Sequence, residues 1–295
     1  MLIEQLRRFA TRVRDSYPTL RGLVDTCWST YEQIVFSTAA YYNRKRYSEE
    51  ATVDPYRLLE VNSDDVRYYS GSFFDFLTDS GTVSGGGWDR QKELLKNEDF
   101  HRSFEQRFLF DTEWEQTEMY NRIAEEIENQ RHSRHCSIAG FEHRLARLDS
   151  IFEDIETNGY QTQRELFIRD GSTVTKITTR GLVPLLDRNI IRHEIAVNIG
   201  REGHFFVNDG RHRASMCKLL DLDSVPVRVL VRHAEWQSIR SEIAQIADEV
   251  VTPDMSIHEL KSVIEDELRR DFDGVFLGLD HPDIEPLLED PLFEQ

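Results

Sequence analysis

Apolar residues recur at three-to-four spacing through Leu2, Leu6, Phe9, Val13 and Tyr17, and the pattern resumes past Pro18 with Leu23, Cys27, Tyr31 and Ile34. This spacing predicts helix over residues 2 to 47, as a hairpin or as a helix broken at the proline. Such an arm (residues 1–50) either presents its face to a partner or a membrane surface or packs on the main body, and packing is the expectation. At residue 54 the texture changes: Tyr56 to Val61 reads as a short strand, with Asn62, Ser63, Asp64 and Asp65 as the turn or cap after it. A Gly- and Ser-rich loop ends in Gly85-Gly86-Gly87-Trp88-Asp89, and a long polar stretch to about Asn158 carries Trp114, Tyr120, Ile123 and Ile127 at helical intervals. Two or three helices are expected there, with Met119 and these aromatics in the core rather than at a cofactor.

Residues 148 to 155 continue as amphipathic helix, stopped by Asn158-Gly159, because a glycine can take the left-handed conformation that ends a helix. Further on, Glu194 to Ile199, a loop with Gly200 and Gly203 at its ends, and His204 to Asn208 read as a strand hairpin. Asp209-Gly210 breaks the second strand, residues 213 to 220 read as helix, and residues 225 to 231 as a last strand. Beyond Trp236 helix and acid return, with Ser256 as the cap of residues 257 to 268. The pattern as a whole predicts an α+β fold.

Composition narrows the setting. Three cysteines in 295 residues (Cys27, Cys136, Cys217) cannot build a disulfide framework and have no zinc-ribbon spacing, so a reducing, cytoplasmic protein is expected. No window reaches about 18 consecutive apolar residues; the best, residues 22 to 42, holds Asp25, Glu32 and Gln33, too costly for a lipid span. Glu4 near the start and the lack of a cleavage pattern argue against a signal peptide. The net charge of −18 argues against broad neutralisation of duplex DNA, which depends on clustered Lys and Arg. With only 6 lysines beside 30 arginines, the acidic surface suits a high-salt cytoplasm, where screening falls to about 3 Å at 1 M salt. A halophilic source is the expectation.

The stretch with the most chemistry runs from Phe206 to Leu220, where a strand passes through Asp209-Gly210 into a helix. Free amides at a helix start, through Ala214 and Ser215, favour an anion, and Gly210 permits close backbone approach. Arg211 and Arg213 offer planar forks for phosphate oxygens, and His212 can donate a hydrogen bond or move a proton near neutral pH. The competing reading is ion pairing of these residues with neighbouring acids.

The segment from Glu194 to Val231 resembles the ParB/sulfiredoxin-like family, in which a strand, a Gly-x-His-Arg-type turn and a helix form a nucleotide phosphate pocket. Asp209-Gly210-Arg211-His212-Arg213-Ala214 is similar to that turn, and Val225-Pro226-Val227 to the family's following strand. Upstream, residues 152–159 followed by Gln161-Thr162-Gln163 look like the helix, glycine and polar loop of ParB-like domains, and residues 56–65 like their first strand. The likeness covers residues 54–70 and 148–233. It implies a ParB/sulfiredoxin-like domain over 51–235 with a small mixed-sheet core, a helical insertion at about 90–147, and an acidic helical tail over 236–295. It also implies a pocket for a nucleoside triphosphate or diphosphate, or another small phosphorylated ligand, on Gly210, Arg211, His212 and Arg213, with Gln161 and Thr162 from the polar loop.

Departures separate the subgroups. A sulfiredoxin needs a cysteine just before its His-Arg pair; Arg211 stands there, and Cys217 lies a turn into the helix as a small core residue. A partition-type DNA clamp needs a basic reading domain, whereas the stretch around and after Trp236 carries Glu235, Glu242, Asp248, Glu249, Asp254, Glu259, Glu265, Asp266 and Glu267. The turn is closest to the Asp-Gly-His-His-Arg of small-molecule kinases in the family, so phosphoryl transfer or nucleotide hydrolysis is the class of reaction implied, if there is one. Asp209 and His212 are then the candidate catalytic residues, and Asp209 and Asp89 the candidate Mg2+ ligands, with Asp65 a further acid. Gly87 and Trp88 belong to a loop that either faces the phosphate, with the indole stacking on a base, or is a surface turn. His132, His135, Cys136 and His143 have metal-ligand types but no zinc spacing, and an exposed polar helix end is expected. His193 is expected as a paired strand-edge histidine. The alternatives to a nucleotide-binding protein are a ParB-like nucleic-acid-associated protein and a non-catalytic interaction module built on the terminal helices.

Overall fold

Six strands form one mixed sheet in the computed structural model, which describes residues 17, 19, 21–46, 51, 54–71, 73–129, 131–132, 137–170, 190–252, 255–271 and 278–288. The strands are β1 (Leu58–Val61), β2 (Tyr68–Tyr69), β3 (Thr82–Ser84), β4 (Ile195–Ile199), β5 (Phe205–Asp209) and β6 (Val225–His233). Their order is β1-β6-β4-β5-β2, with β3 also paired to β6. The β4–β5 pair is the antiparallel hairpin expected from the glycines of its loop, and β4 runs parallel to β6. Helices complete an α+β architecture: α1 (Arg21–Arg46), α2 (Asp99–Phe104), α3 (Glu118–Glu128), α4 (Ile138–Asn158), α5 (Gln163–Asp170), α6 (Arg211–Leu219), α7 (Ala234–Val250) and α8 (Ile257–Asp271). The chain leaves α4 at Gly159, whose φ of 73° is open to glycine and strained for other residues.

β4 and β6 are buried along their whole length because both sheet faces are covered. On one face Ile195, Val197, Phe205, Val207, Val227 and Val229 join the main core with residues of α2, α3, α4, α7 and α8. Helices of the stretch expected as an insertion therefore share the core of the sheet. The expected acidic tail shares it too, through Leu260, Ile264, Leu279, Ile284 and Leu288. What fastens it is Asp283, 1% exposed, whose carboxylate accepts from Arg232 Nε at 2.9 Å and from Trp236 Nε1 at 3.0 Å and lies 3.1 Å from Arg240 Nε, which donates to the Asp283 main-chain carbonyl. In sequence, an acid in an acidic stretch reads as solvated; in the fold it is the counter-charge of two buried arginines.

The opposite face carries Ala196, Asn198, Phe206, Asn208, Arg228 and Leu230, and is covered by the loop of residues 70–90 and by α1. Arg228 is fully buried there; it donates to Ser80 Oγ and to the Phe76 carbonyl, both at 3.0 Å, and lies over the Phe36 ring. α1 is a single helix that packs through Phe36 and Ala40 as an arm on the body. The stripe expected to make that contact, Leu23, Cys27, Tyr31 and Ile34, is exposed instead. The residues N-terminal to Tyr17 lie outside the described residues.

Candidate functional site

Gly210 sits at φ 75° between β5 and α6, and a Cβ on it would meet Ile195 Cα at 3.0 Å and Arg213 Nη2 at 3.2 Å. Both the backbone conformation and the close approach of β4 therefore require glycine. α6 starts with no side-chain cap and no acidic residue in its first turn; Arg211, His212 and Arg213 stand there instead. Cations at this end oppose the helix dipole, and the free amides add to the same positive field. Local stability is not what this arrangement serves.

The bend opens on a cavity of about 520 Å³. Asn208, Asp209, Gly210, Arg211, His212, Arg213 and Met216 form one wall; Phe141, Arg144, Arg147, Leu148 and Ile151 of α4 form another, and Met119 and Ile123 of α3, Tyr69, His132 and His193 complete it. The lining thus carries Arg144, Arg147, Arg211 and Arg213 and three histidines against the single carboxylate of Asp209. In a chain of net charge −18, arginines outnumber carboxylates in this lining. Burial lowers the pKa of Arg147, and no described carboxylate is paired with it.

The arginines of the turn are held differently. Arg211 donates to the Tyr69 hydroxyl at 2.9 Å and lies 4.7 Å above the Phe100 ring, so its charge is placed by aromatic faces rather than by an acid. Arg213 is turned inward. It donates to the Tyr160 hydroxyl at 2.8 Å and to the His193 carbonyl at 2.5 Å, and lies 3.9 Å from Glu194. Glu194, 1% exposed, accepts from the Tyr160 hydroxyl at 3.0 Å and the Gln163 amide at 2.6 Å. Burial pushes the Glu194 carboxyl up, against the pull of Arg213, and pushes His193 well down, helped by Arg192, Arg213 and Arg228. His193 is thus a neutral side chain at the cavity rather than a cation.

The sequence candidates divide by place. Asp209, Gly210, Arg211, His212 and Arg213 come together at the cavity, with Asp209 exposed at its edge. His212 lies between Phe100 and Phe104, with ring centroids 5.7 and 5.3 Å away. Ala214 and Ser215 face the core, and Ser215 Oγ is 2.6 Å from His101 Nδ1. Gln161 lines a smaller adjoining cavity of about 350 Å³, which shares Arg147, Ile151 and Arg213 with the first. Thr162 is spent on a capping box with Glu165 at the start of α5.

Gly87, Trp88 and Asp89 are on the other sheet face. Trp88 packs on Phe74 and Phe206, and strand alternation points Phe206 away from Phe205 and Val207. Asp89, 4% exposed, accepts from the Arg201 amide and guanidinium, each at 2.8 Å. Burial raises its pKa, but the Arg201 hydrogen bonds outweigh that and hold it low. It is an internal ion pair, remote from the cavity. Asp65 is an exposed partner of Arg67 at 4.0 Å. Among the described residues no group of acids, histidines and cysteines could hold a metal ion; His135 and Cys136 lie outside those residues.

Sequence reasoning did not single out Arg144, Arg147, Tyr69 or Tyr160. Arg144 and Arg147 share one face of α4 with the apolar positions Phe141, Leu148 and Ile151, the one signal that could have marked them, since a charge on a buried stripe needs a reason. Compared with known proteins, the chain matches no family model, no curated protein and no solved structure.

Proposed function

We propose that this protein binds a small phosphorylated ligand, a nucleoside triphosphate or diphosphate in the first instance, in the cavity between the Gly210 bend and α4. The observation that carries the reading is the lining: four arginines and one carboxylate, closing on the amide-rich start of a helix, in a strongly acidic chain. Such a cavity is costly to empty of anions and selective for multiply charged ones. The volume of about 520 Å³ lies within the range of small-molecule sites. The likeness of the turn to ParB/sulfiredoxin-like proteins points to the same ligand class.

In this reading Arg147, Arg144 and Arg211 face the phosphate groups, and the amides of α6 cradle one of them. Arg213 is a positioning residue that fixes the bend through Tyr160 and the His193 carbonyl. Asp209, at the edge, is the acid available to a Mg2+ ion carried in by the nucleotide. Phosphoryl transfer or hydrolysis is the reaction class that follows, since such catalysis is chiefly positioning and charge stabilisation. Calorimetry and thermal shift with ATP, ADP, CTP and inorganic phosphate, with and without Mg2+, in dilute and molar salt, test it. Saturable binding by any phosphorylated compound supports the reading; no response in either salt overturns it. Retention on duplex DNA without a nucleotide response would favour the nucleic-acid alternative.

A further inference from the structure

Past Arg147 and Ile151, which line both cavities, α4 leaves the larger one and walls the smaller, of about 350 Å³, where Ser150, Asp154 and Ile155 are joined by Tyr160, Gln161 and residues of α5. We propose that this compartment holds a small uncharged polyhydroxyl compound, a sugar or polyol, as the acceptor of a phosphoryl group. The acceptor role rests on the phosphate reading of the larger cavity, to which it adds a second substrate.

The charges of the smaller lining are compensated in place. Asp154 accepts from Arg169 at 3.1 Å on each of its oxygens, and Arg213 is met by Glu194 at 3.9 Å. Arg147 has no described carboxylate paired with it, and it stands on the wall shared with the larger cavity. An anion is therefore drawn to the border, and the interior of the smaller compartment suits a neutral molecule. Adjacent hydroxyls present donors and acceptors at a fixed separation, and side chains with two polar atoms in one plane answer both at once. Asp154, Gln161, Gln163 and Arg169 are of that kind. Asp154 also accepts from Asn158 Nδ2 at 2.8 Å; its three described bonds leave a place for a hydroxyl donor among the roughly four that a carboxylate offers. Gln161 gives its oxygen to Arg169, so its amide nitrogen is the end that can donate to a ligand oxygen. Ile151, Ile155, Leu166 and the Tyr160 ring supply apolar surface for the C–H side of such a molecule. The volume falls near the lower end of small-molecule sites, about 300–1,000 Å³, as a single sugar-sized occupant requires. Because the cavities meet at Arg147 and Ile151, this occupant lies beside the phosphate end of a ligand in the larger one. In the transfer a hydroxyl oxygen forms a bond to the terminal phosphorus, the bond from that phosphorus to the nucleoside diphosphate breaks, and its electron pair leaves with the diphosphate. The hydroxyl proton passes to water, since Ser150 and Arg169 are exposed and open the compartment to solvent. Holding the two reactants together supplies the acceleration.

The test uses the full-length protein with D-ribose, D-glucose, glycerol and myo-inositol as probes. Saturation-transfer NMR and calorimetry, with and without ADP, read binding, and phosphorus NMR of incubations with ATP and Mg2+ reads transfer. One or more of the probes should bind saturably and be converted to its phosphate ester. Ser150→Phe brings a ring into the compartment from an exposed helix position whose hydroxyl bonds to the Ala146 carbonyl of the same helix, so the fold is retained. It should weaken probe binding about tenfold or more, while ATP affinity stays as in the wild type. ATP binding without binding of any probe, probe binding indifferent to Ser150→Phe, or binding without transfer would each overturn the acceptor compartment and leave the phosphate site standing. Failure of every phosphorylated compound to bind would overturn both.

Discussion

Tyr160 stands between Arg213 and Glu194: its hydroxyl accepts from Arg213 at 2.8 Å and donates to Glu194 at 3.0 Å. One phenol thus relays a buried cation to a buried carboxylate that lies 3.9 Å from it. Removing the hydroxyl leaves both charges short of a hydrogen bond. Tyr160→Phe should lower stability by about 1–3 kcal/mol, the cost of an unmade hydrogen bond to buried charged groups. Urea unfolding would show it; an unchanged midpoint would mean that Arg213 and Glu194 close directly on each other.

Arg147 should behave in the opposite way. It is half-buried at the cavity and burial opposes its charge, so Arg147→Ala should leave stability unchanged or raise it. Loss of one charged hydrogen bond to a phosphate, about 1.5–3 kcal/mol, corresponds to about 10- to 100-fold weaker binding of the best phosphorylated ligand in calorimetry. A variant that binds as the wild type does would remove α4 from the site.

Acid should unfold the protein in two stages. Burial pushes the His101 pKa down to about 4 from 6.5, so the unfolded chain takes up that proton first, and stability falls as the pH drops from about 6.5 towards 4. His101→Gln should make this decline shallower, as measured by urea midpoints between pH 7 and 5. Below about pH 4 the second stage begins: burial raises the Asp283 carboxyl, but Arg232 and Arg240 overcome it and hold the group far below 3.8. Its contribution is complete above that value and lost beneath it.

Asp283→Ala should cost about 3–5 kcal/mol at neutral pH, because it strands two buried guanidiniums. Calorimetric melting would measure this, and a small effect would show that residues 278–288 dock without the ion pair.

Thiol chemistry should separate the described cysteines. Burial pushes the Cys217 pKa up to about 12, and its side chain is 1% exposed, whereas Cys27 is exposed. Maleimide under native conditions should label Cys27 and spare Cys217 until denaturant is added. Rapid labelling of Cys217 in the folded protein would reopen the sulfinic acid reductase reading.

Several features were legible in the residues alone because their causes are local. The β4–β5 hairpin follows from its glycine-bounded loop, the end of α4 from Gly159, the capping box of α8 from Ser256 and Glu259, and the bend at Gly210 from a strand pattern that turns into a helical one. What the tertiary structure decided was which distant charges meet. Asp89 pairs with Arg201 rather than facing the cavity, Asp283 leaves an acidic run to neutralise two arginines, Arg213 turns towards Tyr160 and Glu194, and Arg144 and Arg147 reach the cavity from α4. Periodicity reports how a side chain faces its own helix or strand, over a few residues. Electrostatic partners are chosen across the packed core, where a low dielectric makes each unpaired charge costly, and no local pattern encodes that choice.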